Sequence, residues 1–570
     1  MQVRFFLDKV KINSTFGSLQ NKYIMIKDTP LTFPDLLKSS VSRFAERPAY
    51  AFVGEKALTY KEVSDTSKAV TFMLEQLGIV PGDKVGLFSS NMPNWGITFF
   101  AITSMGAVVV PMLPDFSNVE VNNVIEHSEM KAMFVSKSLF SKISNSKDNN
   151  LKHIIDIEDF NLNISNSKVK FDPKMVSSKT YDIKETDMAS IIYTSGTTGK
   201  SKGVMLSHKN ICFNASSSRT VQPVNDTDRF LSVLPLSHTY ENTLGLILPM
   251  FGGACVYYLR RLPTPAVLLP ALKEVRPTIM LTVPLIIEKI YKGKVLPAFT
   301  DKFITRMLYK VPFLRKKFNA LAGKKLIGTF GGELKFFGIG GAKLNKEVEK
   351  FLIEAKFPYA IGYGLTETAP LLAGVAVGNT KLQSTGPALA GVRLKIHKPG
   401  KYTGEGEIWA KGPNVMMGYY KEPQLTNEVI TEDGWFKTGD LGLFDENNSL
   451  FIRGRSKNVI IGASGENIFP EDIESVINNF KHVAESLVIQ QKGKLVALVH
   501  FNREEIEQQY KHVKEEVTNM VDNKCEELRS ELRDYVNEKV NRFSRIQVVN
   551  TMKEEFQKTA TKKIKRFIYV

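Results

Sequence analysis

The chain has 570 residues, 43% hydrophobic and 24% charged. This is the composition of a globular protein too long for one core, so two or more domains are expected. Three scattered cysteines, Cys212, Cys255 and Cys525, argue against a disulfide frame or a zinc site and point to a reducing compartment. The 76 Lys/Arg outnumber the 59 Asp/Glu for a net charge of +17, and no run of eighteen apolar residues offers a membrane-crossing helix.

The opening MQVRFFLDKV lacks the long apolar core and small-residue cleavage site of a secretory signal. Residues 1–30 read as an N-terminal extension. Met25 is an alternative start, and Leu31-Thr32-Phe33-Pro34 opens the folded part. From Leu31 to about Asn448, helical stretches alternate with short β-rich runs, which argues for layered α/β subdomains. Val85–Phe88 and Ala107–Pro111 are buried-strand candidates around a helix near Gly96–Ser104. Residues 141–150 form a polar loop.

Ala189–Tyr193 reads as a short buried strand leading into Tyr193–Val204, YTSGTTGKSKGV. Thr194, Ser195, Gly196, Thr197, Thr198, Gly199 and Lys200 lie together there with no acid among them. Glycines let successive N–H groups point into one concavity, hydroxyls add neutral donors, and lysines add charge, which is chemistry for gripping a polyphosphate. A Walker A loop needs four residues between its first glycine and Gly-Lys-Ser/Thr. Gly196 and Gly199 are separated by two, and Val204-Met205-Leu206 continues as a strand, so that reading fails. Taken alone, the run fits a surface loop better than a site.

Lys289–Lys325 carries eleven Lys/Arg against one acid, Asp301. Over Lys302–Val311 the pattern is helical, with Phe303, Met307 and Val311 on one side and Lys302, Arg306 and Lys310 on another. Phe313, Leu314, Phe318 and Leu321 continue the apolar side. Such a segment is either a solvated face of a soluble helix pair or a peripheral contact with an anionic membrane surface. No nucleic-acid recognition motif accompanies the charge, so a nucleic-acid partner is not expected.

Further on, Gly340-Gly341-Ala342 lets a flat ring approach the backbone. In Gly362-Tyr363-Gly364-Leu365-Thr366-Glu367-Thr368 a tyrosine between glycines can lie against an adenine. Glu367 is a hard-oxygen ligand suited to Mg2+ beside phosphates. Gly and Pro punctuate short alternating runs from Gly386 to Phe451, including Gly391–Ile396 and Glu407–Ala410, which predicts a small β-barrel or sheet. Asp440, in Trp435–Asp440, can chelate the two hydroxyls of a ribose. Singly, Glu367 fits a helix N-terminal acid and Asp440 a turn residue. After the turn Asp445–Asn448, a near-balanced stretch with 20 Lys/Arg against 18 Asp/Glu runs from Gly454 to the end and reads as a small α+β domain.

In order, these segments resemble the adenylate-forming superfamily of acyl-CoA synthetases, luciferases and peptide-synthetase adenylation domains, over about Leu31 to Arg566. The motifs that carry the resemblance are Tyr193–Val204, Pro235-Leu236-Ser237-His238, Gly362–Thr368, Thr438-Gly439-Asp440, Arg453–Lys457 and Lys558–Arg566. Leu234–Glu241 and Asp433–Asp440 look most like long-chain fatty acyl-CoA synthetases. The resemblance implies an α/β (α+β) fold. Its large domain, 31–453, holds layered α/β subdomains and the small barrel; its mobile C-terminal domain, 454–570, turns on a hinge near Lys457.

It also implies two steps: a carboxylate attacks the α-phosphorus of ATP, giving acyl-adenylate and pyrophosphate; then the thiol of coenzyme A displaces AMP. An anion must approach a tetra-anion, so positioning and charge neutralisation dominate. By resemblance, 194–200 hold the β- and γ-phosphates, with Lys200 serving catalysis or affinity, and Thr194 and Glu367 hold Mg2+. Gly340, Gly341, Ala342, Tyr363, Gly364 and Thr366 surround the nucleotide, with Tyr363 on adenine and Asp440 and Arg455 on ribose. Lys563 bridges carboxylate and α-phosphate, although this chain has Gln557 and Lys562 where relatives often have Pro and Gly. The loop Ile460–Ile468, with Gly462 and Gly465, faces the pantetheine tunnel, and His238 is a gate or thiol neighbour.

The expected activity is fatty acyl-CoA synthesis on medium- to long-chain acids in the cytoplasm, with peripheral membrane contact through 289–325. Acyl carrier protein is the alternative acceptor. An amino-acid substrate would call for an aspartate in Pro235–Thr239, and there is none. A non-catalytic nucleotide-binding scaffold would predict erosion of Lys563, Glu367 or Asp440, all of which are present.

Overall fold

A computed structural model describes residues 30–143, 151–165, 167–195, 201–462, 466–509, 517–559 and 563–570. The expected extension therefore lies almost wholly outside the described residues, as do most of the polar loop at 141–150 and the expected site residues Gly196, Thr197, Thr198, Gly199, Lys200 and Gly465. The chain divides into two compact units. One comprises 1–194, 202–394 and 410–436; the other comprises 195–201, 395–409 and 437–570.

The first unit opens with helix Phe33–Phe44, capped at Thr32, whose Oγ1 accepts from the Asp35 N–H at 3.3 Å. Two eight-stranded sheets follow. One runs Gly418–Tyr419, Ser201–Ser207, Met188–Ser195, Val108–Met112, Lys84–Phe88, Ala132–Val135, His153–Asp156 and Leu162–Ile164. Strands Lys84–Phe88 and Val108–Met112 flank helix Pro93–Ser104, as the sequence predicts, and pair in parallel. That helix is buried almost all round, with Trp95 stacked on Phe99 at 5.7 Å, which is why its pattern shows no polar stripe. The other sheet has parallel Arg229–Ser232, Ile279–Thr282, Phe336–Ile339 and Tyr359–Gly364 at its centre. Its last strand, Leu371–Gly374, runs antiparallel to Tyr359–Gly364.

The Gly/Pro-punctuated region forms a four-stranded sheet in the order Arg393–His397, Gly406–Lys411, Phe436–Phe444, Leu450–Arg455. Its first and last strands remain edges, so among the described residues it is an open sheet and not a closed barrel. Four strands are too few to curl round a filled interior. The C-terminal part has the three-stranded sheet Val483–Gln491, Lys494–Phe501 and Val548–Met552. Helices Pro470–Ile477 and Val517–Lys539 share its apolar core through Ile473, Ile477, Val521, Leu528 and Leu532.

Candidate active site

In the first unit, Met188–Ser195 is held at the centre of its sheet by buried Ala189, Ile191 and Ile192. Thr194, half-buried, stands near its end, and Ser201–Ser207 is the neighbouring strand. Ser207 caps the following helix His208–Ser218.

The Gly362–Thr368 motif is built from strand Tyr359–Gly364 and the turn Thr366–Thr368. Gly364 is obligatory, because a Cβ there would collide with the Pro370 carbonyl. Buried Thr368 donates to the Pro370 carbonyl at 2.6 Å and accepts from the Leu365 N–H at 3.1 Å. Two fully buried asparagines brace the turn from outside. Asn214 donates to the Leu371 carbonyl at 2.8 Å and accepts from the Leu371 N–H at 3.1 Å. Asn414 donates to the carbonyls of Thr368 at 2.9 Å and Leu371 at 3.1 Å.

Glu367 is held at both ends. Its carbonyl accepts from the Met416 N–H at 2.9 Å, and its Oε1 accepts from the Tyr419 hydroxyl at 2.9 Å. Tyr419 lies on the short strand Gly418–Tyr419, antiparallel to Ser201–Ser207 with Tyr419 opposite Val204. Lys202 Nζ lies 5.2 Å from the centroid of its ring. The strand leaving the phosphate loop and the acid assigned to the metal therefore meet on one tyrosine, which sequence reading missed. Tyr363 is half-buried, packed against the cluster of Phe213, Leu371 and Leu389. Thr366 is half-buried, while Gly341 and Ala342 are exposed. Gly341 adopts φ +84°, a conformation that favours glycine. Gly340 is buried, and a Cβ on it would press to 3.2 Å from the Tyr240 ring.

His238 caps the turn Thr239–Glu241, its Nδ1 accepting from the Tyr240 N–H at 3.3 Å. A neutral His238 therefore carries its proton on Nε2. Close by is the acid that ends the Leu234–Glu241 motif, to which the motif assigned no role. Glu241 is buried, accepts from Ser232 Oγ at 2.6 Å, and burial pushes its pKa up to about 8. Gly245 clears space for it, since a Cβ there would come within 2.7 Å of the carboxyl.

In the second unit, Asp440 and Arg455 face each other across antiparallel strands, with Arg455 Nε 2.8 Å from Asp440 Oδ1. Asp440 is buried and Arg455 exposed. Thr438 Oγ1 donates to the Ile408 carbonyl at 2.7 Å and accepts from the Asp440 N–H at 3.1 Å. The Gly439 N–H donates to Glu407 Oε1 at 3.1 Å. Asp440 is thus held at its backbone N–H by Thr438 and at its carboxylate by Arg455. Lys457 is exposed in the turn Ser456–Asn458. Ile460–Ile461 and Asn467–Ile468 pair as a hairpin, and a Cβ on Gly462 would run into the Glu466 carboxylate.

The C-terminal motif is itself turned back. Lys558 and Ile564 form an antiparallel bridge, and the Thr559 N–H donates to the Lys563 carbonyl at 2.8 Å. Ile564 packs against the cluster containing Leu487 and Phe556, so the pleat sends the exposed Lys563 the other way. Arg566 clamps the base of this turn, donating to Glu474 at 2.5 Å and to the Val488 carbonyl at 3.1 Å. Lys558 is held apart by Glu485 at 2.5 Å and Glu555 at 2.9 Å.

The profile of the family described as "AMP-binding enzyme" matches residues 37–420, well over half of the chain. The chain belongs to the AMP-binding enzyme family. Among similar proteins of this family, "Long-chain-fatty-acid--CoA ligase heimdall" of Drosophila melanogaster is 28% identical over 79% of this chain and 72% of its own length. "Long chain acyl-CoA synthetase 6, peroxisomal" of Arabidopsis thaliana is 32% identical over 76% of this chain and 66% of its own. Among solved structures, the anthranilate CoA ligase AuaEII in complex with anthranoyl-AMP has a TM-score of 0.74 at 21% identity, covering 95% of this chain and 98% of that one. The O-succinylbenzoate coenzyme A synthetase of Bacillus subtilis, in complex with ATP and magnesium ion, has a TM-score of 0.72 at 22% identity, covering 93% and 98%. At these identities the structural likeness shows the fold.

The donor set fits a magnesium ion held jointly with substrate. Among the described residues no group of three or more His, Cys, Asp and Glu forms a cage. By the resemblance, Thr194 and Glu367 would supply one hydroxyl and one carboxylate. Mg2+ is characteristically held this way, by one or two protein oxygens with phosphates completing its shell. Bound there, it would neutralise phosphate charge.

Proposed function

We propose that this chain is an ATP-dependent fatty acyl-CoA synthetase, an AMP-forming acid–thiol ligase. In the first step a fatty carboxylate oxygen bonds to the α-phosphorus of ATP and the bond to the β-phosphate oxygen breaks, releasing pyrophosphate. In the second, the sulfur of coenzyme A bonds to the acyl carbon and AMP departs. The chain's own residues orient and neutralise. Tyr363 stacks on adenine, Asp440 and Arg455 hold the ribose, residues 194–200 grip the departing phosphates, and Lys563 pairs with carboxylate and α-phosphate together. His238 stands at the acyl–pantetheine junction.

The observation that carries this reading is the complete set Glu367, Asp440, Arg455 and Lys563, each built into a braced turn or strand pair, on a chain whose similar proteins are named as long-chain ligases.

We propose domains 31–453 and 454–570, with Lys457 as hinge and rotation alternately presenting Lys563 and the 460–468 loop; the compact units instead group 395–409 and 437–453 with the C-terminal part. A cytoplasmic location is supported by Cys212, Cys255 and Cys525, all free and buried. Among the described residues no helix is long and apolar enough to cross a membrane.

Pyrophosphate release from ATP, run in parallel with palmitate, octanoate and an amino acid, tests the first step. Release with the fatty acids alone is expected, and release with the amino acid alone would overturn the reading. Repeating the palmitate assay with coenzyme A and with holo acyl carrier protein decides the acceptor, and thioester on coenzyme A is expected.

A further inference from the structure

An amphipathic helix on a globular protein ordinarily turns its apolar stripe inward. Helix Phe303–Lys310 does the reverse. Only Thr305 and Tyr309 on it are even half-buried. Tyr309 stacks on Phe299 at 5.1 Å and donates to Asn319 Oδ1 at 2.9 Å, fixing that side against its neighbours. The opposite side carries Phe303, Ile304 and Met307 at 67%, 71% and 56% exposure, with Leu308 beside them. Phe313 and Leu321 on the next helix, Pro312–Thr329, are exposed as well.

Charge surrounds this apolar side. At 100° per residue, Arg306 and Lys310 fall on its flank, and Lys302 stands at the helix N-terminus. Lys317, Lys324 and Lys325 follow on the second helix. Among the described residues none of these six forms a salt bridge, whereas Arg315 in the same segment is taken up by Glu354 at 2.8 Å.

We propose that this helix pair docks on an anionic lipid bilayer, with Phe303, Ile304 and Met307 entering the headgroup–acyl boundary and the lysines and Arg306 meeting lipid phosphates. A second copy of the chain would bring the same positive charge against this face. Nucleic acid would leave the apolar side chains in water. A bilayer satisfies both halves of the surface.

Flotation with phosphatidylcholine vesicles, with and without phosphatidylglycerol, tests this. The full chain is expected to float with the phosphatidylglycerol vesicles, and less so at high salt. The triple variant Lys302→Glu, Arg306→Glu, Lys310→Glu should weaken that partitioning by about a hundredfold. Phe303→Ser, Ile304→Ser, Met307→Ser should remove the binding that survives at high salt. Pyrophosphate release with soluble octanoate should stay at the wild-type level in both, which shows that they fold. Wild-type protein that does not float, variants that float equally, or a patch that instead drives self-association without lipid would overturn the proposal. Flotation does not use the catalytic reaction, so a wild-type chain that adenylates but does not float rejects this surface alone. Absence of adenylation on every carboxylate rejects the functional reading alone.

Discussion

The hydroxyl of Tyr419 donates to Oε1 of Glu367 at 2.9 Å, across 52 residues of sequence. Tyr419 is also strand-paired with Val204, just beyond the phosphate loop. This makes Tyr419 a positioning residue for the acid assigned to the metal. A hydrogen bond to a charged group is worth roughly 1.5–3 kcal/mol. Tyr419→Phe should therefore lower kcat/KM for pyrophosphate release by about tenfold to a hundredfold and raise the Mg2+ concentration needed for half-maximal rate. A purely structural role would shift the melting temperature and leave the Mg2+ titration unchanged, so that titration decides.

How the site became legible depends on the range of its interactions. The strand before the phosphate loop was readable because Ala189–Tyr193 is a short apolar run ending at a glycine-rich turn, and it is a strand at the centre of its sheet. Glu367, Asp440 and Arg455 could be placed through their motifs. Their partners could not: Asn214 is 157 residues from Leu371 and carries no motif of its own. The apolar side of 302–311 was visible as a helical period, but a period cannot say which way a helix is mounted. Local alternation in 386–451 likewise reports strands without reporting whether their edges close.

Asn214 offers a second test. Its side chain donates to one carbonyl and accepts from one N–H of Leu371, in a fully buried setting. Asn214→Leu keeps the branched shape, strands the Leu371 N–H, and leaves the Leu371 carbonyl to Asn414 alone. Leaving a buried polar group unsatisfied costs about 1–3 kcal/mol, so a loss of that order in unfolding free energy is expected. Denaturant melts of the variant measure it, and an unchanged midpoint would show that Asn414 alone suffices to hold the Gly362–Thr368 turn.

Glu241 predicts a pH dependence of stability. Burial raises its folded pKa to about 8 from 4.5. The native state therefore binds a proton that the unfolded chain has already released across that window, so its contribution is fully present below about pH 4.5 and is lost as pH rises through about 8. Each pKa unit is worth about 1.4 kcal/mol, so this one group can remove a few kcal/mol by pH 9. Glu241→Gln should flatten the alkaline limb of a plot of unfolding free energy against pH. An identical limb in both proteins would show that Glu241 does not titrate in that range.

Lys563 is the sharpest case, because its motif carries Lys562 and Lys565 on either side. The Lys558–Ile564 bridge and the packing of Ile564 set the register and leave Lys563 exposed beside the turn. One unit charge at about 4 Å in an effective dielectric near 20 is worth about 4 kcal/mol, which corresponds to roughly a thousandfold in rate. Lys563→Ala should therefore lower pyrophosphate release by about that factor while sparing thioester formation from supplied acyl-adenylate. The same substitution at Lys562 or Lys565 should cost far less in the first half-reaction. Equal loss of both half-reactions in Lys563→Ala would remove its assignment to the α-phosphate. A larger first-step loss at Lys562 would move the assignment one residue back.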